Sequence, residues 1–153
     1  MKVRIGLAVS ITLAAAAFSL APIAQADDYT NYEFGDPSKN IACMLRLLPS
    51  GRPDDPDNTV QCDIDKHDWV GPQSGPGPCP QDEGYIFMLR QQGTPEMTCL
   101  NGSVLPTIYT VLEYGQSRTA GAITCDSESS GMTCTNTATG HFFRVSRASY
   151  QLG

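Results

Sequence analysis

The sequence predicts a mainly β domain of short antiparallel strands and hairpins, joined by long Gly/Pro-rich loops and stapled by three disulfides. Three observations predict it. Six cysteines (Cys43, Cys62, Cys79, Cys99, Cys125 and Cys134) all follow an export-type leader, and an even cysteine count in an exported chain is the usual mark of a disulfide framework. Apolar residues alternate with a period of two in several short runs. Gly and Pro are frequent and cluster between those runs, where they interrupt regular structure.

The leader comes first. Lys2 and Arg4 precede an uncharged stretch from Ile5 to Leu20; Pro22 breaks it, and Ala24-Gln25-Ala26 places small residues where signal peptidase reads them. This is the three-part pattern of a secretory signal peptide, so residues 1–26 are read as a leader cleaved after Ala26. The stretch is short for a span, which needs about 20 apolar residues. No cysteine stands at its end to carry a lipid. Residues 27–33 are read as a mobile lead-in, although Tyr29, Tyr32 and Phe34 also fit a sticky segment or a first strand. Residues 34–153 are read as a single domain. Lys2 and Arg4 leave with the leader, so eight basic residues face sixteen acidic ones, a net of −8. That balance argues against nucleic acid or an anionic bilayer as partner, since both call for clustered Lys/Arg.

Asn40 to Leu48 opens the domain's patterning: Ile41, Cys43, Leu45 and Leu47 alternate onto one face. A proline-rich loop, Pro49 to Asp57, follows. In Thr59 to Ile64, Val60, Cys62 and Ile64 share a face. Folding the two runs antiparallel with Cys43 opposite Cys62 sets Ile41 against Ile64 and Leu45 against Val60. One register then satisfies both burial and bond geometry, which predicts Cys43–Cys62. Gly71 to Pro80 is a turn-rich connector. Gly84 to Arg90 reads as an apolar strand and Glu96 to Leu100 as its antiparallel return, and by elimination Cys79 pairs with Cys99. Ser103 to Tyr114 is ambiguous; its β-branched residues favour strand. Ala122 to Asp126 and Met132 to Asn136 form a second hairpin with Cys125 opposite Cys134, and Gly131 supplies the positive φ of its turn. A bend at Thr137 to Gly140 leads to the strand His141 to Arg147, with Phe143 and Val145 on one face and Phe142 and Arg144 on the other. The two outer hairpins match each other in pattern; a repeat and independent convergence both account for this.

An ordered series runs through the chain: Phe34-Gly-Asp-Pro-Ser-Lys-Asn-Ile-Ala-Cys43, Val60-Gln-Cys-Asp-Ile64, Trp69, Tyr114-Gly115, Gly131-Met-Thr-Cys-Thr-Asn136, Thr139-Gly-His-Phe-Phe143, Ser146-Arg147 and Tyr150. It resembles a small exported actinobacterial domain family, common in mycobacteria, of uncharacterised function. The resemblance spans Phe34 to Leu152. It implies an exported single domain and brings no catalytic residues. Phe142 departs from the series, which is expected to carry Gly there.

Candidate chemistry is sparse. His67 and His141 are the only histidines. A small hydrolase would use His141 or the carboxylates of Asp63 and Asp65, but no Gly-x-Ser-x-Gly elbow marks a nucleophile, and a Thr-Gly-His turn is read as structural. Asp54, Asp55 and Asp57 offer oxygen ligands for calcium without the spacing of a known calcium loop, and are read as a solvated loop. The closest cysteine pair, Cys125 and Cys134, is too widely spaced for the short Cys-x2-4-Cys of a zinc site. Trp69 is the lone tryptophan; it is read as capping the core, with ligand stacking as the alternative. No metal or cofactor is expected. The expected function is a binding or interaction module at the cell envelope or outside the cell, its partner an unknown protein or envelope component.

The leader reading makes one measurable claim. Intact-mass analysis of culture supernatant is expected to find a chain beginning at Asp27, and recovery of only full-length, membrane-bound protein would refute it.

Overall fold

Period-two patterning is realised as two facing sheets. The computed structural model describes residues 30–48, 55–71, 84–99 and 109–153, and no helix occurs among them. The strands are β1 (Thr30–Gly35), β2 (Ile41–Leu47), β3 (Thr59–Ile64), β4 (Tyr85–Arg90), β5 (Glu96–Cys99), β6 (Thr110–Val111), β7 (Ser117–Ala120), β8 (Ile123–Glu128), β9 (Gly131–Asn136), β10 (Phe142–Val145) and β11 (Tyr150–Leu152). The first six form one sheet, ordered β5-β4-β3-β2-β1-β6; the last five form the other, ordered β11-β10-β9-β8-β7. The chain thus completes one sheet before it starts the next, and crosses between them at Leu112 to Gln116.

Registers match the alternation. Cys43 faces Cys62, Ile41 faces Ile64 and Leu45 faces Val60; Cys125 faces Cys134. Both cysteine pairs are bridged, each with Cα atoms 4.0 Å apart. Cys99 is also disulfide-bonded, while Cys79, its expected partner, lies outside the described residues. The inward faces carry Phe34, Leu45, Phe87 and Leu89 on one side and Ile123, Met132, Phe143 and Val145 on the other, all fully buried. Burying each such side chain contributes roughly 1.5–3 kcal/mol.

Three features differ from the sequence reading. Residues 30–33, expected as a lead-in, form the first part of β1 and pair with β2, because the same alternation buries Phe34 completely. Not every pairing is antiparallel: β6 lies parallel to β1. Strands β7 and β11 are edge strands too polar for the apolar pattern to reveal. The β9–β10 turn closes at Gly140, with φ 81°, and Phe142 is a strand residue, as the sequence reading has it.

Two polar clamps hold the ends of the sandwich. At one end Trp69 stacks on His67 (centroids 4.4 Å apart) and leans on Tyr150 (4.6 Å) and Tyr85 (5.1 Å). Its Nε1–H donates to Ser146 O of the other sheet at 2.9 Å. At the opposite end the buried Asn136 donates from Nδ2 to Gln91 O at 2.7 Å. Its Oδ1 accepts from the backbone N–H of Ala138 and Thr139.

Both bridges lie in one core, so their contributions should differ mainly through chain entropy. Their sequence separations are 19 and 9, which corresponds to about 3 kcal/mol each and an excess of only ~0.6 kcal/mol for the longer loop. The double variant Cys43→Ala/Cys62→Ala should melt slightly below Cys125→Ala/Cys134→Ala in calorimetry under oxidising conditions. The reverse order would show that packing around the second bridge outweighs loop length.

Candidate functional site

At the end where β1 turns into β2 the sheets part, leaving a cleft of about 400 Å³. The β1–β2 turn, the residues just past β3, the β8–β9 turn and the start of the β10–β11 connection line it, with Tyr114 also on the lining.

One carboxylate organises the first of these segments, Asp36-Pro37-Ser38-Lys39-Asn40. Asp36 Oδ1 accepts from the backbone N–H of Asn40 (3.1 Å) and Ile41 (2.9 Å), and Oδ2 accepts from the Ser38 hydroxyl. An aspartate at the head of a turn satisfies downstream amides in this way. The closed turn holds Lys39 at φ 61°, the sole positive φ of a non-glycine residue among the described residues. That conformation costs a residue with a Cβ about 1–2 kcal/mol, and strain of this kind tends to collect at functional sites. Burial, and secondarily the Asp36 charge, push the neighbouring Tyr109 hydroxyl above the usual tyrosine range.

Asn40 ties the turn to the segment past β3. Its Oδ1 accepts from Lys66 N–H at 2.8 Å and its Nδ2 donates to Lys66 O at 2.9 Å, while its own carbonyl accepts from Asp65 N–H. Lys39 and Lys66, the only lysines after Lys2, therefore line the same cleft. Neither makes an ion pair among the described residues. Arg147 joins them on the lining, its Nε 3.3 Å from Asp68 Oδ1. Of the acids there, Asp36 is spent on the turn and Glu128 accepts from the Ser130 hydroxyl; Asp65 remains available. Gly131 also lines the cleft at φ 134°, and a Cβ there would lie 2.4 Å from Val145 O.

The other candidates lie elsewhere. His141 Nδ1 is 3.3 Å from Gly153 O, and among the described residues no serine hydroxyl or carboxylate bonds to it. Asp63 is buried and accepts from Gln61 Nε2, whereas Asp65 lies beyond the strand in the cleft. Asp55 accepts from Asp57 N–H at 3.2 Å and its carbonyl from Asn58 N–H, so it shapes a turn; Asp54 lies outside the described residues. Trp69 packs against the core. Sequence reasoning missed the lysine pair, whose readable signals were the scarcity of lysine and the predicted register of Ile41 with Ile64, which continues to Lys39 and Lys66.

The chain belongs to the family of unknown function DUF6636, whose model matches residues 8–152. No curated protein matches it, and no solved structure does. Among the described residues no helix is long and apolar enough to cross a membrane.

If Asp36 holds the turn, Asp36→Ala leaves two backbone amides without their acceptor and should cost about 1–3 kcal/mol. Lys39→Gly should instead raise stability by relieving the positive φ. Thermal melting of both variants checks this, and an unchanged Asp36→Ala would assign the turn to other contacts.

Proposed function

We propose that this protein is an exported binding module whose inter-sheet cleft takes a small polar ligand through an anionic group, a carboxylate or a phosphate. The observation that carries the reading is the lysine pair. In a chain with an acidic excess, both lysines beyond the leader stand on one small cleft, beside Arg147, without an ion pair among the described residues. The two lysines offer charge-assisted donors to an anionic group, on a lining that also carries the carboxylates of Asp36, Asp65 and Glu128. Tyr114, 44 % exposed, offers an apolar face for a sugar-sized body, and Asp65 an acceptor for its hydroxyls.

Export is supported by the leader pattern and by the disulfides, which persist in oxidising compartments. Pairing of Cys79 with Cys99 belongs to this reading, as does an envelope component as the source of the ligand. A hydrolase using His141 or Asp63/Asp65 draws no support from the geometry, since His141 bonds to a backbone carbonyl and the two carboxylates occupy different places.

Amide chemical shifts of the labelled protein provide the test, with inorganic phosphate, glucuronate and glucose as probes. Residues 36, 38–41 and 65–66 should respond to the two anions and not to glucose. Lys39→Ala/Lys66→Ala should weaken binding at least about tenfold, or ~1.4 kcal/mol, and added salt should weaken it further. No response at the cleft, or an unchanged affinity in the double variant, would remove the proposal.

A further inference from the structure

The two buried bridges belong to opposite sheets, yet they touch. Cys62 Sγ lies 3.9 Å from Cys134 Sγ, and the sulfurs of Cys43, Cys62 and Cys134 lie within 4.8 Å of one another. Cys125 is the sulfur outside this group. Exchange between a thiol and a disulfide requires a thiolate to reach a disulfide sulfur, and here Cys134 Sγ stands close to both sulfurs of the first bridge, with Cys62 Sγ at 3.9 Å.

We propose that the two bridges act as one thiol–disulfide exchange unit, in which opening either one yields the same inter-sheet bond, Cys62–Cys134. The reductant is a small thiol. Its thiolate attacks Cys43 Sγ, forming a mixed disulfide there and releasing the electron pair to Cys62 as a thiolate. Cys62 Sγ attacks Cys134 Sγ; the Cys62–Cys134 bond forms, the Cys125–Cys134 bond breaks, and Cys125 leaves as a thiolate. A second thiol resolves the mixed disulfide at Cys43. Two small thiols become one disulfide, and the protein gains protons from solvent on Cys43 and Cys125. Entry through Cys125 runs the same path in mirror image, with Cys134 attacking Cys62 and Cys43 leaving.

All four cysteines are at most 1 % exposed. The outside thiol therefore acts only when the sandwich opens, whereas the internal step needs no access. Closing 3.9 Å to a bond of about 2.05 Å falls to side chains whose own bridge has just been cut and which are free to rotate. The product exchanges two staples within sheets for one tie between them, joining β3 to β9. A reducing environment would then change which strands are linked before it unfolds the chain.

Cys43→Ala tests the internal step without any reductant. After incubation at mildly alkaline pH, acid quench and alkylation, non-reducing peptide maps should show Cys62 joined to Cys134 with Cys125 alkylated. Cys125→Ala should give the same bond with Cys43 alkylated. The bond should be at least about tenfold more abundant in folded protein than in urea, because only the fold supplies the proximity. Wild-type protein treated with limiting 2-mercaptoethanol covers a failure of either variant to fold. There the trapped species should carry alkyl groups on Cys43 and Cys125 together. Alkylation confined to the native pairs in the wild type, an intact Cys125–Cys134 beside alkylated Cys62 in the variant, or equal yields in urea would each overturn the proposal.

Discussion

The contact of two cross-strand disulfides at the middle of the sheet interface is the constraint on which the rest of this structure depends. Each bridge requires its hairpin to pair in one register, and in a strand a shift of one residue would turn every side chain to the opposite face. The bridges therefore fix which side of each hairpin is apolar. Because Cys62 and Cys134 then meet across the interface at 3.9 Å, they also fix where the sheets face each other. Phe87 and Phe143, with ring centroids 5.6 Å apart, pack in the same interface.

What the sulfurs do for the centre, Trp69 and Asn136 do for the ends. Each comes from one sheet and bonds a backbone carbonyl belonging to the other. A buried amide or indole N–H without a partner would be costly, so each group is satisfied only when the sheets are correctly juxtaposed. The interface is thus specified by polar partners as well as by apolar area, which matters in a small domain whose core is limited.

The cleft is a consequence of how the chain leaves that interface. Asp36 spends its carboxylate on closing a turn, and Asn40 spends its amide on Lys66. These local hydrogen bonds bring two lysines from distant parts of the chain to one lining and hold one of them in an unfavourable backbone conformation. The same end is braced by the Trp69 clamp and by Asp68 N–H donating to Arg147 O at 2.8 Å. The charged side chains therefore project from a fixed frame.

The two bridged hairpins, their registers and the apolar face of each were legible in the sequence, because period-two alternation and cysteine placement are local properties read along one strand pair. Strand β4 was legible as an apolar run, and β5 as its return across a turn. The sequence did not reveal β7 or β11, whose polar edges carry little alternation, nor the parallel seat of β6 beside β1, which depends on a connection across many residues. Alternation states that a face is buried, not what it is buried against, so the meeting of Cys62 with Cys134 belongs to the tertiary structure alone. The cleft likewise was decided there. The register that sets Ile41 against Ile64 already runs on to place Lys39 across from Lys66, but that both line a cleft depends on the turn closed by Asp36 and on the Asn40 amide bonded to both backbone groups of Lys66.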